Sequence, residues 1–200
     1  MFRRINVLFL CALLLLLSGC QSSRQIETAS IIDNVSVEEK NGQIYYTFYK
    51  LSLEEQSEGV QIPANSFKEA CKLAEDKYIP HLSLAKLELL VINKNLKDKI
   101  MQSDIEYIST QAYFSPIAYV ALCDSKTIER LSKENYTQRL IEEELILCKK
   151  NNPEVKINYL SIFNGYSLQG KEGFSVAYVN SDKEIKTDIT KIYGKYEKNQ

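Results

Sequence analysis

The chain has 200 residues, of which 44% are hydrophobic and 26% are charged, a composition typical of globular proteins and not of disordered ones. Its 25 basic and 26 acidic side chains nearly balance, which does not favour binding to nucleic acid. With a single histidine, the chain also has no metal site built from several histidines.

The first twenty residues have the three-part layout of a secretory signal. Two arginines, at positions 3 and 4, precede an unbroken apolar run at 7–17. That run has 11 residues, whereas a helix that crosses the hydrocarbon of a bilayer needs about 20, so it is short for a permanent anchor. Small residues then stand ahead of a cysteine, in the order Leu17, Ser18, Gly19, Cys20.

The tetrapeptide that ends at Cys20 is similar to the lipobox of bacterial lipoproteins. The resemblance implies that a peptidase cuts before Cys20, that the thiol of Cys20 carries a diacylglycerol, and that the lipobox is formed by Leu17, Ser18 and Gly19. Two ester-linked chains and one amide-linked chain would anchor the protein stably, because stable anchoring takes more than one acyl chain. The alternatives are an ordinary signal peptide with a chance cysteine and an uncleaved anchor.

These observations divide the chain into four predicted parts. Residues 1–19 are the lipoprotein signal peptide, 20–28 the lipidated tether, 29–193 a single folded domain and 194–200 a frayed, charged tail. Without the signal, 23 basic and 26 acidic side chains remain, so the net charge is about −3. We expect the N-terminal lipid to hold the chain on the extracytoplasmic face of a membrane, since no second long apolar stretch is present.

The first predicted elements of the domain are two strands that form a hairpin. Residues 31–37 and 44–51 are joined through Asn41-Gly42, a pair that accepts the positive φ angles of a type I′ turn. Residues 52–65 are polar and are predicted to be a loop.

A helix is predicted next, because Ser66 and Glu69 have the spacing of a capping box. Pro80 is expected to stop it. Its apolar face is predicted to contain Phe67, Ala70, Cys71, Ala74 and Tyr78.

The middle of the chain is predicted to alternate between strands and helices. We predict a buried strand at 84–92, helical structure at 96–101, a helix opened by a second capping box at 103–106, and a buried strand at 117–122.

The last part of the domain begins with two predicted helices. Asp124 or Ser125 caps a short one that ends near Leu131, and a longer one covers 136–150 and ends before Pro153. Its inward face is predicted to contain Leu140, Ile141, Leu145 and Cys148. Strands follow at 157–163, 174–179 and 185–192, with a glycine-containing loop after the first. Strands alternating with helices predict an α+β fold: a mixed central β-sheet flanked by helices in a single domain.

Three places in the sequence contain residue types that can carry chemistry. Gly165 to Lys171 matches a phosphate-binding loop up to its last residue, but Glu172 replaces the required Ser or Thr and a strand follows, so a hairpin loop is preferred. His81 lies in a helix-to-strand connection with no nucleophile near it in sequence, and is interpreted as a surface or turn histidine. The acidic run at 142–144 is interpreted as a solvated helix face.

The remaining cysteines do not predict a disulfide framework. Cys71, Cys123 and Cys148 are odd in number and widely spaced, so we interpret them as small core residues. One disulfide with a leftover thiol is the alternative. Because no catalytic motif, zinc motif or calcium loop is present, we predict no catalytic residue, no metal site, no cofactor and no enzymatic activity.

The order of these elements resembles the N-terminal domain of the spore germination receptor C subunits, the Ger(x)C lipoproteins. The resemblance is carried by the lipobox, a polar Arg-Gln-Ile-Glu segment at 24–27, the strand pair at 31–49, the helix start at 66–70, the Leu-rich run at 82–92, and the strand at 117–122 that leads into a helix at 125–131. Family members are longer chains with further domains, so this chain is either a one-domain relative or a truncated product.

The resemblance implies a non-catalytic component of spore germination. In that family the C subunit lies on the outer surface of the spore inner membrane and works with integral membrane receptor subunits in the response to nutrient germinants. Cys20 is the one functional position that transfers to this chain. The alternatives are a solute-binding lipoprotein of a transporter, which usually needs two lobes, and a surface enzyme that uses His81.

Overall fold

The computed structural model describes five stretches of the chain: residues 29–51, 59–111, 113–134, 136–182 and 184–194. Within these stretches the chain forms a mixed sheet of eight strands and five α-helices. The predicted α+β fold with a central sheet flanked by helices is therefore confirmed.

The sheet combines antiparallel edges with a parallel centre. In chain order its strands are β1 (Ser30–Lys40), β2 (Gln43–Lys50), β3 (Val60–Pro63), β4 (Leu82–Ser83), β5 (Leu89–Asn93), β6 (Tyr119–Cys123), β7 (Phe174–Asn180) and β8 (Lys186–Ile192). Their spatial order is β3-β2-β1-β5-β6-β7-β8, and β4 pairs with the start of β1. The pairs β1–β5, β5–β6 and β6–β7 are parallel, whereas β1–β2, β2–β3 and β7–β8 are antiparallel.

Helices cover both faces of the sheet. They are α1 (Phe67–Lys77), α2 (Gln102–Ser109), α3 (Ser125–Lys133), α4 (Thr137–Asn151) and α5 (Tyr159–Gln169). The buried hydrophobic residues of α1, α2 and α5 belong to a cluster on one face, and those of α3 and α4 to a cluster on the other. We call these the first and the second face.

The alternation of side chains along the central strands explains this layering. In β5, Leu90 and Ile92 join the first cluster while Leu89 and Val91 join the second, so the strand is apolar at its first four positions and ends in the buried polar Asn93. The hairpin strands differ. Their first face is apolar, but Asn34, Ser36, Glu38 and Thr47 are buried polar residues of β1 and β2.

The predicted hairpin is confirmed, and the loop predicted after it is wrong in its second half. Asn41 and Gly42 both have positive φ, at 53° and 79°, as the type I′ turn requires. Residues 60–63 form the edge strand β3, where Ile62 is fully buried against the first face. A strand of four residues with a proline at its end gives a weak sequence signal.

Helix α1 has one of the two hydrogen bonds of the predicted capping box. The Ser66 hydroxyl accepts a hydrogen bond from the backbone N–H of Glu69 at 3.2 Å. The Glu69 carboxylate accepts from the backbone N–H of Asn65, one residue before the predicted partner. Tyr78 is 56% exposed because the helix ends before it, ahead of Pro80. The other predicted face residues are buried: Phe67, Ala70, Cys71 and Ala74.

The middle elements have shifted boundaries. The strand predicted at 84–92 begins only at Leu89, because the residues before it form a turn. The second capping box is wrong: the Ser103 hydroxyl donates to the carbonyl of Ile100, inside helical structure that runs without a break from 94 to 109. The strand predicted from Ile117 begins at Tyr119 and leaves Ile117 76% exposed.

The strand predicted at 157–163 is wrong, since most of that segment is helix α5. The Asn158 side chain accepts from the Ser161 backbone N–H at 2.9 Å, and the Ser161 hydroxyl accepts from the Asn158 backbone N–H at 3.3 Å. This reciprocal cap starts the helix even though residues 159–163 include aromatic and β-branched side chains, which are more typical of strands. Gly165, predicted in a loop, lies inside α5 and faces the Phe174 ring.

The last predicted elements are confirmed with small shifts. The Asp124 carboxylate accepts from the Thr127 backbone N–H and starts α3. Helix α4 buries three of its four predicted inward residues, Ile141, Leu145 and Cys148, and leaves Leu140 partly buried. The strands predicted at 174–179 and 185–192 are β7 and β8.

A carboxylate buried under the first face joins three elements. Asp104 of α2 is 1% exposed; one of its oxygens accepts from the Tyr46 hydroxyl of β2 at 2.7 Å, and the other from the Phe67 backbone N–H of α1 at 2.9 Å. The second contact satisfies a first-turn amide that has no partner within its own helix. Burial raises the pKa of Asp104 to about 6, although both hydrogen bonds oppose the rise.

We predict that Asp104 makes stability fall as the pH rises. Its pKa is raised from 3.8 to about 6 in the folded chain, so the ionised form is penalised by folding. The resulting stabilisation is present below about pH 4 and is lost by about pH 6, a difference of about 3 kcal/mol. Urea unfolding of wild type and Asp104→Asn between pH 4 and pH 7 isolates this contribution as the difference between the two curves. Parallel curves would contradict it.

The two hydrogen bonds of Asp104 have a separate test. Asp104→Asn keeps an acceptor for Phe67 and a partner for Tyr46, whereas Asp104→Ala leaves both groups buried and unpaired. We expect the alanine variant to be less stable than the asparagine variant by about 2–4 kcal/mol at pH 7. Equal urea midpoints for the two variants would show that the hydrogen bonds do not contribute.

Gly165→Ala is predicted to destabilise the chain although alanine favours helices. A Cβ at this position would lie 2.8 Å from the Phe174 ring and 2.9 Å from the Lys156 side chain, and Phe174 is only 4% exposed. We expect a net loss of about 1–3 kcal/mol, which exceeds the roughly 1 kcal/mol gained in helix propensity. Ser167→Ala, at an exposed position of the same helix, is the control in thermal unfolding.

Candidate interaction site

The predicted lipid-attachment site lies outside the described residues. This holds for Cys20 and for the lipobox residues Leu17, Ser18 and Gly19, so cleavage and acylation stay predictions. The predicted part boundaries at 19, 28 and 193 likewise stay predictions. Among the described residues, no helix is long and apolar enough to cross a membrane.

The start of β1 lies beside β4 at one end of the sheet. The backbone N–H of Ser30 donates to the carbonyl of His81 at 3.0 Å, and the first residues of β1 pair with β4. This point lies at the amino-terminal ends of the parallel strands, since Asn34 is level with Leu89, the first residue of β5. We call this end of the sheet the entry edge.

The other candidate residues of the sequence do not form a catalytic group. His81 is exposed and has a φ of 55°, so the predicted surface turn is confirmed. The segment from Gly165 to Lys171 is the end of α5 and a turn, and β7 follows where a phosphate loop requires a helix. Among the described residues, no group of three or more His, Cys, Asp or Glu side chains is placed to hold a metal ion.

An open groove of about 510 Å³ lies at the entry edge, and we call it the acidic groove. It is lined by Lys86, Leu87, Glu88, Ser115, Ile117, Ala118, Tyr119 and Glu142. Backbone hydrogen bonds of Glu88 join the three chain segments at this point. The Glu88 N–H donates to the Asp33 carbonyl at 2.8 Å, and the Glu88 carbonyl accepts from the Tyr119 N–H at 2.7 Å. The groove is therefore held directly by the starts of the parallel strands.

One amide holds the two carboxylates of this groove together. The side-chain nitrogen of Gln138 donates to Glu88 Oε2 and to Glu142 Oε1, at 2.9 Å each, so these oxygens are at most about 5.8 Å apart. The Gln138 oxygen in turn accepts from Asn34 Nδ2 at 2.6 Å. Each N–H group of the Gln138 amide therefore donates to a carboxylate.

The carboxylates of the groove lie close enough to repel one another electrostatically. Burial raises the pKa of Glu142, and the negative charges of Glu88 and Asp33 raise it further. The pKa of Asp33 is raised mainly by burial and also by Glu88. The sequence interpretation of 142–144 as a solvated face is therefore wrong for Glu142, which is half-buried against this cluster, and right for the exposed Glu143.

Two acceptor atoms beside the carboxylates are buried without a partner. They are Asp33 Oδ1 and Asn34 Oδ1, neither of which has a hydrogen bond within the described part of the chain. Asn34 is only 6% exposed, and its other amide atom contacts Gln138. Buried acceptors of this kind cost free energy until a donor reaches them.

A second groove, of about 560 Å³, lies on the polar second face of the hairpin beside α3. Its charges are paired internally: Lys40 contacts Glu38 at 2.6 Å, and Lys133 contacts Glu129 at 2.6 Å. In its wall, burial raises the pKa of Tyr49 to about 12, so this phenol stays protonated. In the acidic groove, by contrast, neither Glu88 nor Glu142 forms an ion pair with a described basic side chain.

Sequence reasoning missed the polar residues that organise the acidic groove. Gln138 and Glu142 are spaced i, i+4 on a predicted helix, a spacing that indicates a side-chain contact. Asp33 and Asn34 are adjacent polar residues between the apolar Ile32 and Val35 of a predicted strand, which is the second available signal. Glu88 carries no signal, because its role depends on strand order.

The comparisons with known proteins give one match. A family model described as the spore germination protein N-terminal domain matches residues 22–180, well over half of the chain. The search of curated proteins and the search of solved structures each return no significant match. The match spans β1 to β7 with all five helices, and it begins two residues after Cys20. The chain therefore belongs to the spore germination protein N-terminal domain family, in agreement with the resemblance found in its sequence.

Proposed function

We propose that the chain is a membrane-anchored lipoprotein with the role of a germinant-receptor C subunit, acting in spore germination through assembly and signalling and not through catalysis. The family match over residues 22–180 carries this proposal. Family membership also suggests association with other receptor subunits. The integral membrane subunits of the receptor are the partners that we propose.

Anchoring in this proposal depends on the N-terminus. Residues 7–17 and the tetrapeptide ending at Cys20 have the order that export and lipidation need. The ten peptide steps from Cys20 to Ser30 span at most ~35 Å. A lipid at Cys20 would therefore keep the entry edge within that distance of the bilayer, on the outer surface of the spore inner membrane.

A solute-binding lipoprotein is the less favoured function. Proteins of that class usually close two lobes around a ligand, whereas the described residues of this chain form one domain around one sheet. No observation on the described residues favours it over the receptor function.

Replacement of Cys20 tests the anchor. In cells fed a labelled fatty acid, we expect Cys20→Ala to lose the label and to remain uncleaved, because the acceptor thiol is absent. Cys11→Ala, within the predicted signal, is the matched control and should be labelled like wild type. A wild-type chain found intact in the cytosol with an unmodified Cys20 thiol would contradict the proposal.

A further inference from the structure

Two uncharged stretches of the sequence meet at the entry edge. Residues 107–123 and 157–170 are the two longest stretches after the predicted signal peptide that contain no charged side chain, in a chain of which 26% is charged. The structure joins them directly, because the Tyr159 N–H donates to the Ala118 carbonyl at 2.9 Å. Where they meet, neither stretch contributes a charge to the surface of the molecule.

Three large apolar side chains of these stretches project into solvent. Tyr113 is 81% exposed, Ile117 is 76% exposed and Leu160 is 49% exposed. In the described part of the chain, Leu168 alone among the large hydrophobic residues is more exposed than Tyr113. We call the surface formed by these three side chains and the exposed Pro116 the uncharged rim. A single exposed apolar side chain is ordinary, whereas neighbouring ones mark a surface that gains free energy by leaving water.

An aromatic layer below the uncharged rim holds its members together. The Phe114 ring is partly buried and its centroid lies 5.3 Å from that of Tyr159, which is 6% exposed. Phe114 directly follows Tyr113 in the chain, and Tyr159 directly precedes Leu160. Contact between the two rings therefore keeps the backbones of Tyr113 and Leu160 close to each other, on a base that belongs to the first-face core.

The uncharged rim and the start of β1 lie at the same end of the sheet. Asn34, Leu89 and Tyr119 are level in three adjacent parallel strands. Such strands are spaced by about 4.8 Å, so β6 begins about 10 Å from β1. Ile117 and Ser30 both lie beyond that level in the same direction. A lipid on the N-terminal tether would come within ~35 Å of Ser30, so it would bring the bilayer to this end of the domain.

The composition of the uncharged rim matches the interfacial layer of a bilayer. Tyrosine combines an apolar ring with a polar hydroxyl and concentrates at the level of the headgroups, whereas isoleucine and leucine favour the acyl chains. Charged side chains are costly at that depth, and the rim contains none. Glu142 of the acidic groove is on α4, which covers the second face, whereas Leu160 is on α5, which covers the first. Contact with the bilayer is therefore expected on the first-face side of Ile117.

We propose that the uncharged rim inserts into the surface of the bilayer that holds the lipid, so that the domain rests on the membrane with its entry edge toward the acyl chains. Its partner is the lipid surface itself: Ile117 and Leu160 contact the acyl chains, and the Tyr113 ring lies at the level of the headgroups. This inference rests on the proposed function, which supplies the lipid at Cys20.

The test exploits the absence of tryptophan from the chain. Full-length acylated Ile117→Trp and Leu147→Trp are each reconstituted into phosphatidylcholine vesicles whose acyl chains carry bromine, which quenches tryptophan fluorescence. Leu147 is the matched control, because it is apolar and 48% exposed but lies beside residues 187–189, toward the carboxyl-terminal end of β7. We expect quenching of Ile117→Trp to be at least ~2-fold stronger, since inserted side chains lie about 5–10 Å into the boundary between headgroups and acyl chains.

A charge placed in the uncharged rim distinguishes insertion from mere proximity to the bilayer. With Leu160→Trp as the reporter, the added change Ile117→Glu should reduce quenching to the level of Leu147→Trp, because it brings a carboxylate to the interface. Leu147→Glu adds the same charge outside the rim and should leave the Leu160→Trp signal unchanged. Both positions are exposed, so neither change should lower the melting temperature, which thermal unfolding checks.

The outcomes separate the two proposals. If the wild-type chain carries no acyl group and is not recovered with membranes, the proposed function fails and the insertion proposal with it. If the acylated chain binds vesicles but Ile117→Trp and Leu147→Trp are quenched equally, the insertion proposal alone fails. Shielding of Ile117→Trp from an aqueous quencher in native membranes, without bromine quenching in pure lipid, would assign the uncharged rim to a protein partner and also overturn the proposal.

Discussion

The parallel pairing of β1 with β5 is the constraint on which the rest of the structure depends. β1 is the one strand that connects the antiparallel hairpin to the parallel centre, through Asn34 to Val37 opposite Leu89 to Ile92. Parallel neighbours require long crossovers, and the segments between β1, β5, β6 and β7 supply the helices that cover the two faces. Together with the β5–β6 pairing, it brings the starts of β1, β5 and β6 to one end of the sheet, where the acidic groove lies.

A bulge in β1 affects both the sheet and the groove. The register with β2 shifts between Ile32 and Asn34, so the alternation of side chains is broken at Asp33. Ile32 thereby stays in the first cluster while Asn34 is directed to the Gln138 amide. A regular strand would place Ile32 and Asn34 on the same face. The irregularity therefore brings a polar residue to the groove without exposing an apolar one.

The sequence predicts several elements whose signals are local, although the capping box predicted at 103–106 is absent. The Asn41-Gly42 turn, the Ser66 cap and the Asp124 cap each depend on contacts within four residues, and each is present. Residues 159–163 have strand-like side chains, yet they are helical. One cause is local, the reciprocal cap of Asn158 and Ser161, and the other is the packing of Gly165 on Phe174 of β7. The groove has no local signal, because Glu88, Gln138 and Asn34 meet only through the strand order. Lipid attachment at Cys20, by contrast, is predicted from a contiguous motif alone.

The three cysteines of the described domain are free thiols and all are buried. Burial raises the pKa of the Cys71 thiol to about 12 and that of Cys123 well above its ordinary value, and it also raises the pKa of Cys148. Because the thiolate is the form that reacts with peroxides and disulfides, these groups are chemically quiet while the domain stays folded. A chain sent to an oxidising compartment with an odd number of thiols risks cross-linking to its neighbours. Burial of the three thiols lowers that risk for as long as the domain is folded, so oxidative cross-linking would have to follow unfolding.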